Sequence, residues 1–225
     1  WLPRHLPKGV KLVASTLPGT SAKSLVERNW MRHEVEVTPL EESERKEVIA
    51  LYLKNASRCL DRSSLDRICN APQTSNPLFL RVLLDELRTR ASHSNLGGKL
   101  EEYLEAADST ELFAKVLSNL EEYDRERPRL VRESMGYLAL ARRGLTEPEL
   151  LELLSSSKEP AREPLPRHCW SPLFLALHES LVNRGGRLSF FHDHLRRAVE
   201  RRYLSAPAVS RKLHRRLGEL AKSWD

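Results

Sequence analysis

The chain has 225 residues, of which 40% are hydrophobic and 30% are charged, a composition typical of a soluble globular protein that buries a core. No apolar run approaches the roughly 18 residues that span a bilayer, so we expect no membrane span. The net charge of +6 is concentrated in residues 192–225, which hold nine Lys and Arg against four Asp and Glu, and this uneven placement excludes a generally basic nucleic-acid binder.

The opening residues, WLPRHLPKGVKLVAST, read like sequence from the middle of a domain, and we expect the chain to be an excerpt of a larger protein. Three cysteines, Cys59, Cys69 and Cys169, occur without CxxC spacing. A sparse and odd set of cysteines favours buried free thiols in a reducing compartment, so we expect a cytoplasmic protein.

Residues 1–40 predict the end of a parallel sheet. The apolar run VKLVAST, Val10 to Thr16, is bounded by Gly9 and Pro18 and is typical of a buried strand. A second strand is predicted in HEVEVTPL, residues 33–40, and a helix is predicted between the two. Strand, helix and strand within so few residues form a βαβ fragment.

Residues 41–127 predict a helical domain. Val48, Leu51 and Tyr52 recur at helical spacing, and a short helix follows near residues 65–70. Asn76 then offers a helix N-cap, and Pro77 occupies the first position of the helix that continues as LFLRVLLDELRTR.

Residues 128–205 predict a winged-helix domain, because three helices precede a hairpin. The helices are expected to begin at Pro128, at the capping box of Thr146 and Glu149, and at Pro172. Gly185-Gly186 predicts the turn of the hairpin, the wing of such a domain. Residues 206–225 then predict a basic amphipathic helix that begins a further helical region, with a stripe of Leu213, Leu217 and Leu220.

Four segments in this order resemble NACHT-type STAND P-loop NTPases, especially nephrocystin-like and telomerase-associated-protein-like chains that carry TPR or WD40 repeats. The segments are WLPRHLPKGVKLVASTLPG, SNPLFLRVLLDELR, ARRGLTEPELLELL and FFHDHLRRAVERRYL. They resemble, respectively, the sensor-1 strand, the helical segment with the GxP-type proline, the start of the winged helix, and the segment with the MHD-type histidine. The resemblance implies a mostly α fold with the end of a P-loop sheet, a helical bundle and a winged helix.

The resemblance also implies roles for four residues in a nucleotide cleft. Ser15 and Thr16 would lie near the γ-phosphate or the attacking water, Pro77 would pack against adenine, and His192 would point at the β-phosphate of ADP. Here Leu17 and Pro18 follow the sensor-1 strand where many relatives have an arginine. The resemblance implies ATP or ADP with Mg²⁺ as the cofactor of the full-length protein. The 225 residues themselves contain no GxxxxGK[ST] loop to hold phosphates, so no cofactor is expected for this piece alone. The resemblance is compatible with slow ATPase activity in the parent protein, and we expect none from this piece alone.

Each candidate residue also has a simpler interpretation. His192 can be a helix cap or a packing residue, Ser15 and Thr16 can satisfy backbone groups at a strand end, and Pro77 can simply begin a helix. Zinc binding by His192 and His194 is disfavoured because the segment is predicted to be helical, where that spacing points the two side chains apart. Catalysis by the same histidines lacks a partner nucleophile.

Three functions follow from these patterns. The first is the regulatory part of a nucleotide-dependent signalling switch that controls oligomerisation. The second is a degenerate scaffold that presents repeat arrays to other protein domains. The third is DNA binding by the winged helix, which is disfavoured because the predicted third helix, SPLFLALHESL, has no Lys or Arg to read a groove. We therefore expect protein partners and self-oligomerisation, and no specific DNA.

Overall fold

The computed structural model describes residues 7–27, 33–56, 60–90, 96–123, 128–155 and 165–222. The chain divides into two units, Trp1–Thr38 and Pro39–Asp225. The described residues are mostly helical, and their one sheet is small and antiparallel.

The described part of the first unit contains one helix, α1 (Thr20–Glu27), at the position predicted from the sequence. The two predicted strands that flank it are not formed in residues 10–16 and 33–38, so the βαβ prediction is wrong for these residues. Val13, Val35 and Val37 are 96%, 84% and 91% exposed. A strand is stable only when a neighbouring strand completes its hydrogen bonds, and the described part of this unit supplies no such neighbour.

In its described residues, the first half of the second unit is a bundle of five helices. They are α2 (Glu42–Ala56), α3 (Arg62–Asn70), α4 (Pro77–Arg90), α5 (Leu96–Leu104) and α6 (Ser109–Tyr123). A short 3-10 turn, Pro72–Ser75, leads into α4.

The buried stripe of α2 differs from the prediction. Ile49 is fully buried, and Tyr52 and Leu53 pack against the core, whereas Val48 and Leu51 are 38% and 58% exposed. The segment VIALYL offers two overlapping stripes at helical spacing, and its contacts with α3 and α4 select the one that contains Ile49.

The second half of the unit alternates helices with short strands. Its elements are α7 (Pro128–Leu140), β1 (Leu145–Thr146), α8 (Glu147–Leu154), α9 (Arg167–Leu177), β2 (Leu181–Arg184), β3 (Arg187–Phe190) and α10 (Asp193–Tyr203). The antiparallel sheet has the order β1-β3-β2, with Leu145 opposite Leu188 and Leu181 opposite Phe190. Gly185 and Gly186 form the predicted hairpin turn at φ values of 60° and 82°.

Helix α9 begins five residues before the predicted start. Pro172 was expected to open this helix, but α9 starts at Arg167 and Pro172 lies inside it. The extra first turn carries Cys169 and Trp170, which are buried, and the burial of the indole favours extending the helix. The Ser171 hydroxyl donates to the Arg167 carbonyl at 2.9 Å and so helps to satisfy that turn.

The last helix, α11 (Pro207–Lys222), packs against α7 and α8. The predicted leucine stripe is confirmed, since Leu213 and Leu220 are buried and Leu217 packs against the core. No helix among the described residues is long and apolar enough to cross a membrane.

Helix α10 joins the two halves of the second unit around one core. Its Leu195 and Val199 are fully buried, and the helix packs against α6 on one side and α7 on the other. The Arg202 guanidinium donates to the Glu121 carboxylate of α6 at 2.6 Å, which adds a polar contact beside this apolar seam. The residues from the helical bundle to α11 therefore share a continuous hydrophobic core.

The capping box of α8 allows a simple stability test. The Thr146 hydroxyl accepts the Glu149 N–H at 3.4 Å, and the Glu149 carboxylate accepts the Thr146 N–H at 2.7 Å. We expect Thr146→Ala to lower the free energy of unfolding by about 1 kcal/mol, measured by urea denaturation. The control is Thr89→Ala on the exposed surface of α4, which we expect to change it by less than about 0.5 kcal/mol. Equal losses in both variants would contradict a capping role.

Candidate functional site

His192 lies where β3 ends and α10 begins, as the sequence predicts. It is the N-cap residue of α10, with extended backbone angles of −117° and 138°, yet its side chain makes no capping hydrogen bond. The backbone around it is held by the Phe191 N–H, which donates to the Ser180 carbonyl at 3.0 Å. The capping interpretation of the imidazole is therefore not supported, and the ring is left for other contacts.

The surroundings of His192 favour its neutral form. Its side chain is partly buried, and the Phe191 ring stands edge-on to it with ring centroids 4.5 Å apart. Burial lowers the pKa of His192 below its ordinary value, and the positive charge of Arg81 and the nearby His194 lower it further. A neutral imidazole keeps one N–H that can donate to an anion.

Arg81 is a candidate site residue that the sequence analysis missed. It lies on α4, one helical turn after Pro77, so both residues face the same side of the helix. Its guanidinium forms an ion pair with the Glu179 carboxylate, which belongs to the short 3-10 turn His178–Ser180 before β2. The sequence does show that Arg81 lies four residues after Pro77 on a predicted helix, which could have drawn attention to it. The connection between Arg81 and the segment of His192, however, depends on the fold.

Pro77 is exposed at the first position of α4. The Asn76 side-chain oxygen accepts the N–H groups of Leu78 and Phe79 at 2.9 Å and 3.3 Å, so the predicted N-cap is confirmed. This local cap is enough to explain a helix start at the proline. The exposed pyrrolidine ring is nevertheless accessible to a flat apolar partner.

Ser15 and Thr16 lie in the first unit and are exposed. The Thr16 hydroxyl donates to the neighbouring Leu17 carbonyl at 3.2 Å, a contact that satisfies a local backbone group. Their role near a γ-phosphate stays a prediction.

His194 is occupied by a contact with the helical bundle. Its Nδ1 lies 3.0 Å from the Thr110 hydroxyl at the start of α6, where the Asp108 carboxylate also accepts the Thr110 and Glu111 N–H groups. These two backbone hydrogen bonds, together with the charges of Arg201 and His194, hold the pKa of Asp108 below its ordinary value.

Within the described ranges no three or more His, Cys, Asp or Glu side chains cluster in a way that would hold a metal ion.

The effect of Arg81 on His192 can be measured directly. We expect Arg81→Gln to raise the pKa of His192, because removing a nearby positive charge makes the imidazolium less unfavourable. An NMR pH titration of the imidazole signals would report the change, with Arg88→Gln on the same helix as the control. A His192 pKa that is the same in wild type and Arg81→Gln would show that the two side chains do not interact.

The comparisons with known proteins agree with the resemblance drawn from the sequence. The chain is 28% identical over 222 residues to a TPR repeat-containing protein of Dictyostelium discoideum, covering 97% of this chain and 13% of that protein. It is 27% identical to the human NACHT and WD repeat domain-containing protein 2, covering 69% of this chain and 9% of that protein. It is 24% identical to nephrocystin-3 of Xenopus tropicalis, covering 81% of this chain and 14% of that protein. No protein-family model matches the chain, and no solved structure matches it significantly.

Proposed function

We propose that the chain is the regulatory part of a nucleotide-dependent signalling switch of the NACHT type, with a helical domain and a winged-helix domain. The similarity to TPR, NACHT and WD-repeat proteins supports a signalling or protein-interaction scaffold role. The observation that carries the finer proposal is the Arg81–Glu179 ion pair, which connects the proline-led helix α4 to the turn whose Ser180 carbonyl holds the backbone beside His192.

The order of elements from α7 to β3 supports the winged-helix assignment. Helix, short strand, two helices and a two-stranded hairpin follow one another, and β1 completes the sheet by pairing with β3. The third helix of this set, α9, carries one arginine, Arg167, which is paired with Glu147 at 2.8 Å. Arg167 is thus the one Lys or Arg among the described residues of α9 and is already paired, so the signalling role is favoured over DNA binding.

The chemistry of the site suits a nucleoside diphosphate. Arg81 and the neutral His192 supply hydrogen-bond donors for phosphate oxygens, and the exposed Pro77 ring supplies an apolar face for a purine base. In this proposal ADP or ATP with Mg²⁺ would bind in the full-length protein. The roles of Ser15 and Thr16 belong to the same proposal.

In the proposed switch, His192 links the winged-helix half to the phosphates and so favours one arrangement of the protein. Loss of that link on nucleotide exchange would bias the second unit toward an arrangement that exposes a surface for self-association or for protein partners. A ligand can shift such an equilibrium only through contacts that differ between the two states, and the His192 contact is the difference proposed here.

Photoaffinity labelling of the full-length protein with 2-azido-ADP tests the proposal. We expect adducts on the peptide that contains Pro77, and we expect excess unlabelled ADP to prevent them. A peptide from the exposed surface of α11 serves as the internal control. A full-length protein that does not bind ADP, or that binds it without labelling the Pro77 peptide, would contradict the proposal.

A scaffold without nucleotide exchange is the second candidate, and the continuous core favours it. The helical bundle and the winged-helix half share buried residues along α10, and the Thr110–His194 and Arg202–Glu121 contacts tie them together. Such a unit could hold repeat arrays in place without moving. The labelling experiment separates the two candidates, since a pure scaffold would give no ADP-protected adducts.

A further inference from the structure

We infer that Arg81 binds a phosphate group in the proposed nucleotide site and that Glu179 competes with that phosphate for the guanidinium. The inference rests on the proposed function. It makes the Arg81–Glu179 ion pair a latch that the ligand releases.

The position of Arg81 places it among the residues of the candidate site. It is one turn after the exposed Pro77 on α4, and its ion pair with Glu179 connects it to the turn whose Ser180 carbonyl accepts the Phe191 N–H, next to His192. A guanidinium can give two parallel hydrogen bonds to one phosphate, which makes it a suitable partner for the group that His192 is proposed to meet.

Glu179 reaches Arg81 from the other half of the second unit. It lies in the 3-10 turn before β2, next to Ser180, whose carbonyl accepts the Phe191 N–H at 3.0 Å. The ion pair therefore connects α4 with the turn that positions the Phe191–His192 backbone. His178 flanks the same carboxylate, with its Nε2 3.1 Å from Glu179.

The ion pair is accessible and easily exchanged. The Arg81 and Glu179 side chains are 49% and 44% exposed, so water screens their attraction and a ligand can approach both. The second carboxylate near Arg81, that of Asp85 at 3.9 Å, is already engaged by the Tyr52 hydroxyl and by Arg88. Glu179 is thus the carboxylate that a phosphate would displace.

Displacement has a structural consequence. When Arg81 turns to a phosphate, α4 loses its ionic contact with the turn before β2, while the apolar seam along α10 remains. The nucleotide would then loosen the ionic link between α4 and the turn that leads into the hairpin. The amides of β2 are the place where such loosening can be observed.

The test measures the affinity of the full-length protein for fluorescent ADP and the hydrogen exchange of the β2 amides. We expect Glu179→Gln to tighten ADP binding by about two- to fivefold, because Arg81 no longer has to leave a carboxylate. We expect Arg81→Gln to weaken binding by about ten- to a hundredfold. The control is Glu147→Gln, which removes the carboxylate of another exposed ion pair, that with Arg167, and should leave the affinity unchanged.

The direction in which Glu179→Gln changes the ADP affinity shows whether Glu179 competes with the phosphate for Arg81 or instead positions Arg81 for it. Weaker ADP binding in Glu179→Gln would show that Glu179 only positions Arg81, and would overturn the latch. In wild type we expect ADP to speed exchange of the β2 amides, and in Glu179→Gln we expect fast exchange without ADP. If His192→Ala weakens ADP binding while Arg81→Gln and Glu179→Gln do not change it, the inference fails and the proposed function stands. If wild type does not bind ADP, both fail.

Discussion

Replacing His192 with alanine in the full-length protein is expected to speed ADP release by about ten- to a hundredfold. The reason is that the partly buried imidazole is proposed to donate a hydrogen bond to a charged phosphate oxygen. Such bonds contribute roughly 1.5–3 kcal/mol, and each 1.4 kcal/mol corresponds to about a tenfold change. Stopped-flow displacement of fluorescent ADP measures the release rate.

Two further variants make this result specific. His214→Ala removes an exposed histidine on α11 and should leave the release rate unchanged. His192→Gln keeps a side-chain N–H donor and should fall between wild type and His192→Ala. A release rate that is the same in wild type and His192→Ala would remove the central residue from the proposed switch and favour the scaffold.

The lowered pKa of His192 also makes the stability of the fold depend on pH. Burial, Arg81 and His194 hold its pKa below the ordinary value, so the ring is neutral at neutral pH and becomes protonated only in more acidic solution. Because the pKa in the folded protein is lowered, the unfolded chain binds the proton more readily. His192 therefore reduces the stability of the fold as the pH falls from the ordinary pKa of histidine toward the lower pKa of His192 in the folded protein.

The elements that the sequence predicted correctly depend on contacts between near neighbours in the chain. The cap at Asn76 and Pro77, the capping box of Thr146 and Glu149, and the turn at Gly185-Gly186 each require only residues within about one turn. Side-chain and backbone groups at that separation meet whenever the local conformation forms. These features could therefore be predicted without the tertiary structure.

The predictions that failed depend on contacts between distant segments. The choice between two stripes on α2 is made by α3 and α4, and the start of α9 is set by the burial of Trp170. The strands predicted at residues 10–16 and 33–40 need partner strands that no local pattern can guarantee. Apolar periodicity shows that a segment can be buried, but it does not show which surface will cover it.

The candidate site divides in the same way. His192 could be found because a recognisable segment surrounds it, and its place between strand and helix was predicted correctly. Arg81 could not be found, because Glu179 is 98 residues away in the chain and only the fold brings them together. A charged residue on a helix surface is usually only solvated, so the sequence alone gives no reason to choose Arg81 as a site residue.

Gly144 is a backbone position where substitution is expected to be strongly destabilising. It has φ of +71°, and an added Cβ would lie 2.4 Å from the Leu188 carbonyl oxygen of β3. This close approach lets β1 pair with β3, and the Gly144 carbonyl also accepts the Arg187 guanidinium at 3.3 Å. The glycine of the ARRGLTEPEL segment is thus required for the packing of the strand against the hairpin, independently of any ligand.

We expect Gly144→Ala to lower the free energy of unfolding by about 2–4 kcal/mol, since it combines an unfavourable positive φ with a backbone clash. The matched control is Gly185→Ala, which has φ of +60° but nothing within 4 Å of the added Cβ, and which should cost only about 1 kcal/mol. Urea denaturation of both variants isolates the clash as the difference between them. Equal losses would show that β1 does not approach β3 as closely as described, and the sheet that orients the strand leading to His192 would then need a different arrangement.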